Sequence, residues 1–398
     1  MNCKNENVKL EIILFTEGDA ANLATWSCVP WFLATTLEKC GCTVHRVNLD
    51  CPILMRYGFN FLVRIGKFFL RHRSRFCWNQ TPLFYWLVRR KMKRAFAMYP
   101  KAQGSITTRY SYTPKSAAQL PSILLSDWTL AFWLKHYERR APDWLEKREI
   151  ARQTSAMQAA DIVISIFPNT AEDLSQQCGR PVLYLGHPVN ALPWTLTPQI
   201  IAKKLEKKRI LFVGRKQYLA GLCALVAAFH RLKKTFPSLE LHVVGMTALQ
   251  AGVQVAEGMH FYGYLNRTDE NARSQYENLM QRAFILVNTT PHWSGFSAAL
   301  EGLYHGTPVL THDTKIFEQV TKKAINFCFE CKNDVDDIVQ ALHEIFSISD
   351  DGYANISMAA HAAAKKCNWD SYTAKIISHI KKCRLEIENE SHETRRKH

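Results

Sequence analysis

The stretch of sequence that decides the fold is NTTPHWSGFSAALEGLYHGTPVLTHD, residues 288–313. An apolar strand ends at the start of this stretch, and a loop with Gly and Ser follows. A helix then runs from about Phe296 and stops at Gly306, before the next strand. A loop that leads into a helix presents unpaired backbone N–H groups and the positive end of the helix dipole, which suit a phosphate. Glu301, in the early turns of this helix, can accept hydrogen bonds from ribose hydroxyls. The stretch predicts a nucleotide site, and the alternative is an ordinary strand-loop-helix unit with Glu301 on a solvated helix face.

Apolar runs of strand length recur along the chain, with helix-like segments between them. They are residues 10–16, 43–49, 122–127, 161–167 and 182–187, and then 209–214, 240–245, 260–265, 284–290, 307–313 and 325–330. This rhythm is typical of doubly wound α/β domains with parallel sheets. It stops between Gly186 and Pro198, where three prolines indicate a linker.

The length of 398 residues favours two domains, and a hydrophobic content of 47% is enough to give each a core. We expect a first Rossmann-like domain over 1–187, a linker over 188–200 and a second Rossmann-like domain over 201–357. A helical segment over 358–383 and a mobile charged tail over 384–398 complete the predicted organisation.

The chain is strongly basic, with 51 Lys and Arg against 35 Asp and Glu, a formal net charge of +16. Residues 56–94 hold eleven Lys and Arg and no acid, which leaves +5 for the rest of the chain. This basic aromatic insertion is a candidate anchor on an anionic membrane surface. The aromatic side chains expected to contact lipid are Phe68, Phe69, Trp78, Phe84, Tyr85 and Trp86. The alternatives are a helix pair with its aromatics in the core, or a nucleic-acid face, although no nucleic-acid-binding signature accompanies it.

Neither a run of about eighteen apolar residues nor a secretory signal is visible, so we expect a cytoplasmic protein, peripheral on the cytosolic membrane face. The twelve cysteines are then expected to be reduced thiols. Cys328 and Cys331 form a CxxC pair, but no second pair completes a four-ligand zinc site. We therefore predict no metal.

Residues 294–311, SGFSAALEGLYHGTPVLT, resemble the signature of nucleotide-sugar glycosyltransferases of the large retaining family related to glycogen synthase, the glycosyl transferases group 1. RILFVGR at 209–215 and FYGYL at 261–265 are similar to that family's phosphate-contacting and base-contacting segments. Residues 25–49 resemble the first loop and helix of a bacterial subgroup. The resemblance implies an α/β fold of the GT-B type, two Rossmann-like doubly wound domains with a cleft between them, the first for the acceptor and the second for the nucleotide sugar.

The resemblance also implies a set of site residues. The donor-binding residues are Gly214, Tyr264, Leu265, Ser294, Gly295, Phe296, Ser297 and Glu301. Arg215 and Lys216 are the candidate catalytic cations beside the diphosphate, and the alternative is two solvated loop cations. Asp127, at the end of a predicted strand, is the candidate that orients the acceptor hydroxyl, and the alternative is an Asp that caps the following helix.

The sequence departs from the family pattern at three places. The first glutamate of the signature is absent, since Trp293 or Ser294 stands there depending on the alignment. Leu219 and Ala220 occupy the positions of the family's Arg and Lys pair. Cys28 replaces a glycine after Trp26 and Ser27.

The predicted activity is transfer of a hexose from a nucleotide-diphosphate sugar to a glycan or lipid-linked acceptor with retention of anomeric configuration. The resemblance implies that the leaving phosphate helps to deprotonate the acceptor, so that no cofactor is needed. The alternative is a catalytically impaired GT-B relative that binds nucleotide or glycan as a partner subunit. A nucleic-acid-binding protein on an α/β scaffold is a third and weaker interpretation.

Overall fold

The computed structural model describes residues 10–70, 74–115, 120–291, 296–321 and 326–396. The chain divides into two compact units, one of residues 1–187 with 369–398 and one of residues 188–368. None of the helices in these described segments has the length and hydropathy needed to cross a bilayer.

The first unit is built around a parallel sheet of six strands in the order β2-β1-β3-β4-β5-β6. The elements of residues 1–187 are, in order, β1 (Glu11–Thr16), α1 (Val29–Lys39), β2 (Thr43–Asn48), α2 (Ile53–Leu70), α3 (Pro82–Met98), β3 (Gly104–Thr107), β4 (Ser122–Ser126), α4 (Leu130–Trp133), α5 (Trp144–Ala159), β5 (Ile162–Ser165), α6 (Pro168–Cys178) and β6 (Leu183–Tyr184). Short 3₁₀ turns cover Thr25–Cys28 and Trp78–Gln80, and a π-helical turn covers Leu134–Glu138.

The second unit also has a six-stranded parallel sheet, in the order β12-β11-β10-β7-β8-β9. Its elements are α7 (Pro198–Leu205), β7 (Arg209–Val213), α8 (Leu219–Leu232), β8 (Glu240–Val244), α9 (Ala248–Ala251), β9 (Met259–Gly263), α10 (Glu270–Arg282), β10 (Ile285–Asn288), α11 (Phe296–Tyr304), β11 (Val309–Thr311), α12 (Lys315–Thr321), β12 (Cys328–Glu330), α13 (Val335–Phe346) and α14 (Asp350–Ala364). A 3₁₀ turn covers Lys216–Tyr218. Counted within the unit, the strand order is 3-2-1-4-5-6, the order of dinucleotide-binding Rossmann folds.

The last helix, α15 (Trp369–Arg396), belongs with the first unit although it follows the second unit in sequence. Ile376 and Ile380 of α15 are fully buried. A Cβ added at Gly104 of β3 would lie 3.0 Å from Cγ2 of Ile380, so α15 packs directly on the central part of the first sheet. The first unit is therefore completed by residues from both ends of the chain.

One sequence prediction about elements is wrong. The predicted helical segment 358–383 is helical, in two parts that belong to α14 and α15, but the predicted mobile tail 384–398 continues α15 as far as Arg396. Ion pairs one helical turn apart support this extension, with Arg384 Nε donating to Glu388 Oε1 at 2.7 Å. Strand β3 was missed because its sequence, GSIT, contains one large apolar residue and forms no hydrophobic run.

Candidate functional site

The switch point of the second sheet lies between β7 and β10, because the chain runs from β7 outward in one direction and from β10 in the other. Ligands of open α/β sheets bind outside the carboxyl ends of the strands at such a point. The described segments that leave this edge are 214–218 after β7 and 289–291 after β10. These are the two segments that the sequence singled out for nucleotide binding.

Close backbone packing shapes this edge. Gly221, in the first turn of α8, lies against Thr290, and an added Cβ would be 2.3 Å from Thr290 Oγ1 and 2.9 Å from its backbone nitrogen. A Cβ at Gly245 would lie 2.4 Å from the carbonyl oxygen of Gly214, and Gly245 has a φ of +102°. Any larger residue at these glycines would push apart the segments after β7, β8 and β10.

Arg215 and Tyr264, both predicted site residues, lie together at this edge. The guanidinium carbon of Arg215 is 4.7 Å from the centre of the Tyr264 ring, within cation–π range. Tyr264 is 55% exposed, and Leu265 after it is half-buried. Lys216 is exposed beside Arg215, and in the described part of the chain neither cation pairs with a carboxylate. Both charges remain available to an anion.

Glu301 is 5% exposed on α11, so its predicted alternative position on a solvated helix face is wrong. Its Oε2 accepts hydrogen bonds from the Tyr276 hydroxyl at 2.7 Å and from the Arg267 guanidinium. Arg267 also lies over the Tyr276 ring, at 4.3 Å, and donates to the carbonyl oxygen of Asn190 at 3.0 Å. Burial, and next the Glu301 charge, raise the pKa of Tyr276 well above its usual value, so the phenol stays protonated and donates.

Sequence reasoning missed Arg267 and Tyr276. Arg267 lies two residues after Leu265 and could have been found as the cation nearest to the predicted base-contacting segment. Tyr276 carries no sequence signal, because it is one of several polar or aromatic residues on α10.

The remaining predicted donor residues lie at the start of α11. Phe296 is buried, with its ring centre 5.1 Å from that of Phe317, so it fixes this helix to the core. Ser297 is half-buried in the first turn. Ser294 and Gly295 lie outside the described residues.

The first unit contains a cavity of about 400 Å³ at the carboxyl ends of β1, β3 and β4. The switch point of this sheet lies between β1 and β3, so the cavity is again where such sheets bind ligands. Its wall includes three indole rings, of Trp26, Trp128 and Trp133, and four charged side chains, of Glu17, Arg75, Arg109 and Asp127.

Asp127 follows β4 and faces this cavity. It accepts hydrogen bonds from Trp26 Nε1 at 3.3 Å and from the Trp128 backbone at 2.8 Å. Burial raises the pKa of Asp127 above its usual value. The alternative role as cap of the next helix is wrong, because Thr129 is the residue whose side chain accepts from Phe132 N at the start of α4.

Three consecutive residues before α1 adopt left-handed backbone angles, with φ of 39° at Trp26, 54° at Ser27 and 70° at Cys28. Such angles cost about 1–3 kcal/mol at a residue other than glycine. The φ of Cys28 gives a physical reason for the glycine that the resemblance expects there. In this chain the strained turn brings the Trp26 indole to Asp127.

Glu17 and Arg109 form an ion pair in the cavity wall that sequence reasoning also missed. Arg109 Nη1 donates to Glu17 Oε2 at 2.6 Å, and Glu17 also accepts from the Tyr112 hydroxyl at 3.1 Å and from Asn79 Nδ2 at 3.2 Å. Burial alone would lower the pKa of Arg109, but the Glu17 carboxylate raises it above its usual range. The pair is a fixed, charged feature of the cavity. No group of three His, Cys, Asp or Glu among the described residues is arranged to hold a metal ion.

Residues 195–378 match the family model of glycosyl transferases group 1. No curated protein matches the sequence significantly. Among solved structures, the chain is similar to a sucrose-phosphate synthase from Thermosynechococcus elongatus, with a TM-score of 0.65 and 14% identity over 94% of this chain and 99% of that one. A glycosyltransferase from Rickettsia africae has a TM-score of 0.62 and 13% identity to this chain. Anabaena HepE in complex with UDP and glucose has a TM-score of 0.60 and 12% identity. Each match covers 94% of this chain and 99% of the other.

These neighbours confirm the predicted two-domain α/β fold of the GT-B type. The family match, which covers most of the second unit, supports a glycosyltransferase that uses a nucleotide sugar. The retention of configuration, the hexose, the acceptor class and the absence of a metal or cofactor stay predictions.

Proposed function

We propose, from the match of residues 195–378 to glycosyl transferases group 1, that this chain transfers a hexose from a nucleotide-diphosphate sugar to a glycan or lipid-linked acceptor with retention. The observation that carries the proposal is the pair of exposed cations, Arg215 and Lys216, directly after β7 at the switch point of the second sheet. A diphosphate leaving group needs positive charge at this position.

The nucleotide diphosphate binds along the edge formed by the segments after β7, β9 and β10. Arg215 and Lys216 neutralise the diphosphate, with Arg215 oriented by the Tyr264 ring. Glu301 accepts from the ribose hydroxyls through the carboxylate oxygen that Tyr276 and Arg267 leave open, since both bind Oε2. Arg267 and Tyr276 thus hold the Glu301 carboxylate in one orientation.

The transfer step breaks the bond between the anomeric carbon and the diphosphate oxygen. The acceptor hydroxyl attacks from the same face of the sugar, and its proton passes to the departing phosphate oxygen. The chain's own contribution is to stabilise the charge that develops on that phosphate and to orient the two reacting groups.

The acceptor is proposed to bind in the cavity of the first unit. The indole side chains in the cavity wall provide apolar surface against which a sugar ring can pack, and the carboxylate of Asp127 can accept from its hydroxyl group. Trp26 Nε1 donates to Oδ2 of that carboxylate and holds it in place.

A second candidate function is a catalytically impaired relative that binds nucleotide or glycan as a partner subunit. It is favoured by two observations in the sequence, the missing first glutamate and the apolar Leu219 and Ala220 in place of the family's cation pair. Both candidate functions predict that the chain binds nucleotide, but only the active glycosyltransferase predicts turnover, so a turnover assay separates them.

The test is transfer and hydrolysis of a panel of UDP-, GDP- and ADP-hexoses by the purified full chain, beside calorimetric binding of the three nucleoside diphosphates. We expect turnover of at least one donor. Binding without turnover of any donor would favour the impaired relative, and neither binding nor turnover would contradict both.

The Glu301→Gln variant tests the nucleotide site within the same assay. Loss of a carboxylate that accepts from ribose should weaken nucleotide binding by roughly 1–3 kcal/mol. Since Arg267 also loses its partner, thermal unfolding is measured in parallel. Glu318→Gln on α12, an exposed carboxylate of the same unit, is the matched control. Unchanged affinity in a folded Glu301→Gln protein would remove Glu301 from the site.

A further inference from the structure

Helix α2 exposes a row of large apolar side chains, which we call the α2 apolar face. Its members are between 63% and 80% exposed and comprise Ile53, Leu54, Tyr57, Phe61 and Leu62. Their spacing places them on one side of the helix. Surfaces of soluble proteins scatter such residues singly, and a contiguous exposed apolar patch marks an interaction site.

The other side of α2 is fixed to the first unit. Phe59 is 6% exposed, with its ring centre 6.5 Å from that of Phe84, which belongs to the core. Arg56 pairs with Asp50 and lies 5.0 Å from the Trp78 ring. Helix α2 therefore packs on the first unit through one side and exposes the α2 apolar face on the other.

The structure changes the set of aromatic residues that can reach a membrane. Phe84 is fully buried, Trp78 packs on it with ring centres 4.8 Å apart, and Tyr85 lies under the Arg152 guanidinium at 3.8 Å. Of the predicted aromatics, Phe68 and Trp86 are exposed, at 79% and 54%. The side chain of Phe69 lies outside the described part of the chain. The prediction is therefore wrong for Trp78, Phe84 and Tyr85, which pack in the core of the first unit, and the exposed apolar surface is mainly on α2.

Exposed cations are present on α2 itself and on α3, whose Phe84 packs against α2. Arg64 of α2 is exposed, and α3 exposes four more, Arg89, Arg90, Lys93 and Arg94. The whole segment 56–94 contains no acid. A second copy of the chain would present the same cations and be repelled, whereas an anionic bilayer surface complements both the charge and the apolar side chains.

We propose that the α2 apolar face, with the exposed cations of α3, docks the protein on the surface of an anionic lipid bilayer. The apolar side chains enter the boundary between headgroups and acyl chains, and the cations bind the phosphate groups. The proposal does not depend on the sugar transferred or on turnover.

The experiment is flotation of the full chain with vesicles of phosphatidylcholine alone and of phosphatidylcholine with phosphatidylglycerol, at low and high salt. We expect binding to the anionic vesicles that high salt weakens but does not abolish, because salt screens charge and leaves apolar contact unaffected. The double variant Leu54→Gln with Phe61→Gln should lower the partition coefficient about tenfold at high salt. The double variant Arg89→Gln with Arg90→Gln should lower it by about fivefold for each removed charge at low salt.

Leu249→Gln is the matched control, because Leu249 is 92% exposed in the second unit, far along the chain from α2. It should bind as the unchanged protein does, and circular dichroism checks that every variant is folded. Equal loss in the control, or binding that salt reverses completely, would overturn the role of the α2 apolar face. A dimer seen by light scattering that the Leu54 and Phe61 changes dissociate, without any vesicle binding, would assign the face to a second copy instead.

Discussion

Arg215 and Lys216 are the residues whose function can be tested most directly at the residue scale. Both are exposed after β7. The Arg215→Gln and Lys216→Gln double variant should lose about 10²-fold or more in turnover, because the charge on the leaving diphosphate loses its main stabilisation. Stability should change little, since surface substitutions usually stay within about 0.5 kcal/mol.

The assay pairs initial rates with a urea unfolding curve, and Lys203→Gln with Lys207→Gln provides a double variant of equal charge away from the carboxyl ends of the strands. If the folded double variant kept the original rate, Arg215 and Lys216 would not be the groups that bind the diphosphate. The backbone N–H groups at the start of α8 or α11 would then be the remaining candidates.

Lys204 is the residue that most clearly links stability to pH. It is fully buried on α7, and its Nζ donates to the Ala283 carbonyl at 2.9 Å and to Thr307 Oγ1 at 2.6 Å. Burial lowers its pKa to about 7, whereas the unfolded chain holds the proton up to about 10.4. Between these values the unfolded state binds more protons, so this group makes the protein more stable as pH rises.

The measurement is the free energy of unfolding of the wild type and of Lys204→Met between pH 6 and pH 9. The difference between the two curves should shift by about 2–3 kcal/mol in favour of the wild type as pH rises. The neighbouring titratable group is His305, whose pKa burial lowers to about 3, so it does not titrate in this range. Parallel curves would mean that Lys204 keeps its charge in the folded protein.

At this scale the sequence could supply candidates but not their partners. Glu301 could be found from its spacing to Gly306, but its contacts with Arg267 and Tyr276 depend on how α10 packs on α11. Asp127 could be placed at a strand end, but the cavity beside it needs the turn at Trp26, whose backbone angles no propensity would predict.

At the scale of elements, Gly221 shows how close two segments approach at the donor edge. Gly221→Ala raises helix propensity, yet its Cβ would meet Thr290 Oγ1 at 2.3 Å. We expect a loss of about 1–3 kcal/mol in unfolding free energy and weaker nucleotide binding, since the start of α8 must move away from β10.

The control is Gly66→Ala in α2, where an added Cβ has no neighbour within 4 Å among the described residues. It should be neutral or slightly stabilising. The packing argument fails if chemical denaturation shows the two alanine variants to be equally stable.

Elements with a strong hydrophobic rhythm could be predicted, and those that depend on packing could not. Strand β3 has one large apolar residue, and only its place between β1 and β4 makes it a strand. The polar sequence after Cys383 indicated mobility, but it continues a helix whose first half is anchored by Tyr372, Ile376 and Ile380.

At the scale of the whole molecule, both sheets could be predicted from the alternation of apolar runs and helices in the sequence. The packing of α15 on the first unit could not. Nothing in the residues after 368 indicates which sheet they cover, because an amphipathic helix fits either. The assignment rests on particular contacts, such as Trp369 stacked on Phe32 with ring centres 6.1 Å apart, and Ile380 against Gly104.

Because α15 completes the first unit, a cavity in α15 should weaken that unit selectively. Ile380 is fully buried, so Ile380→Ala should cost about 2–5 kcal/mol. Hydrogen exchange followed by mass spectrometry should show faster exchange in β1, β3 and β4, while β7 and β10 keep their protection. Leu385→Ala, on the same helix and 60% exposed, should leave both sheets unchanged. Equal loss of protection in β10 and β3 would mean that the two units unfold as one, and loss confined to β10 would show that α15 supports the second unit instead.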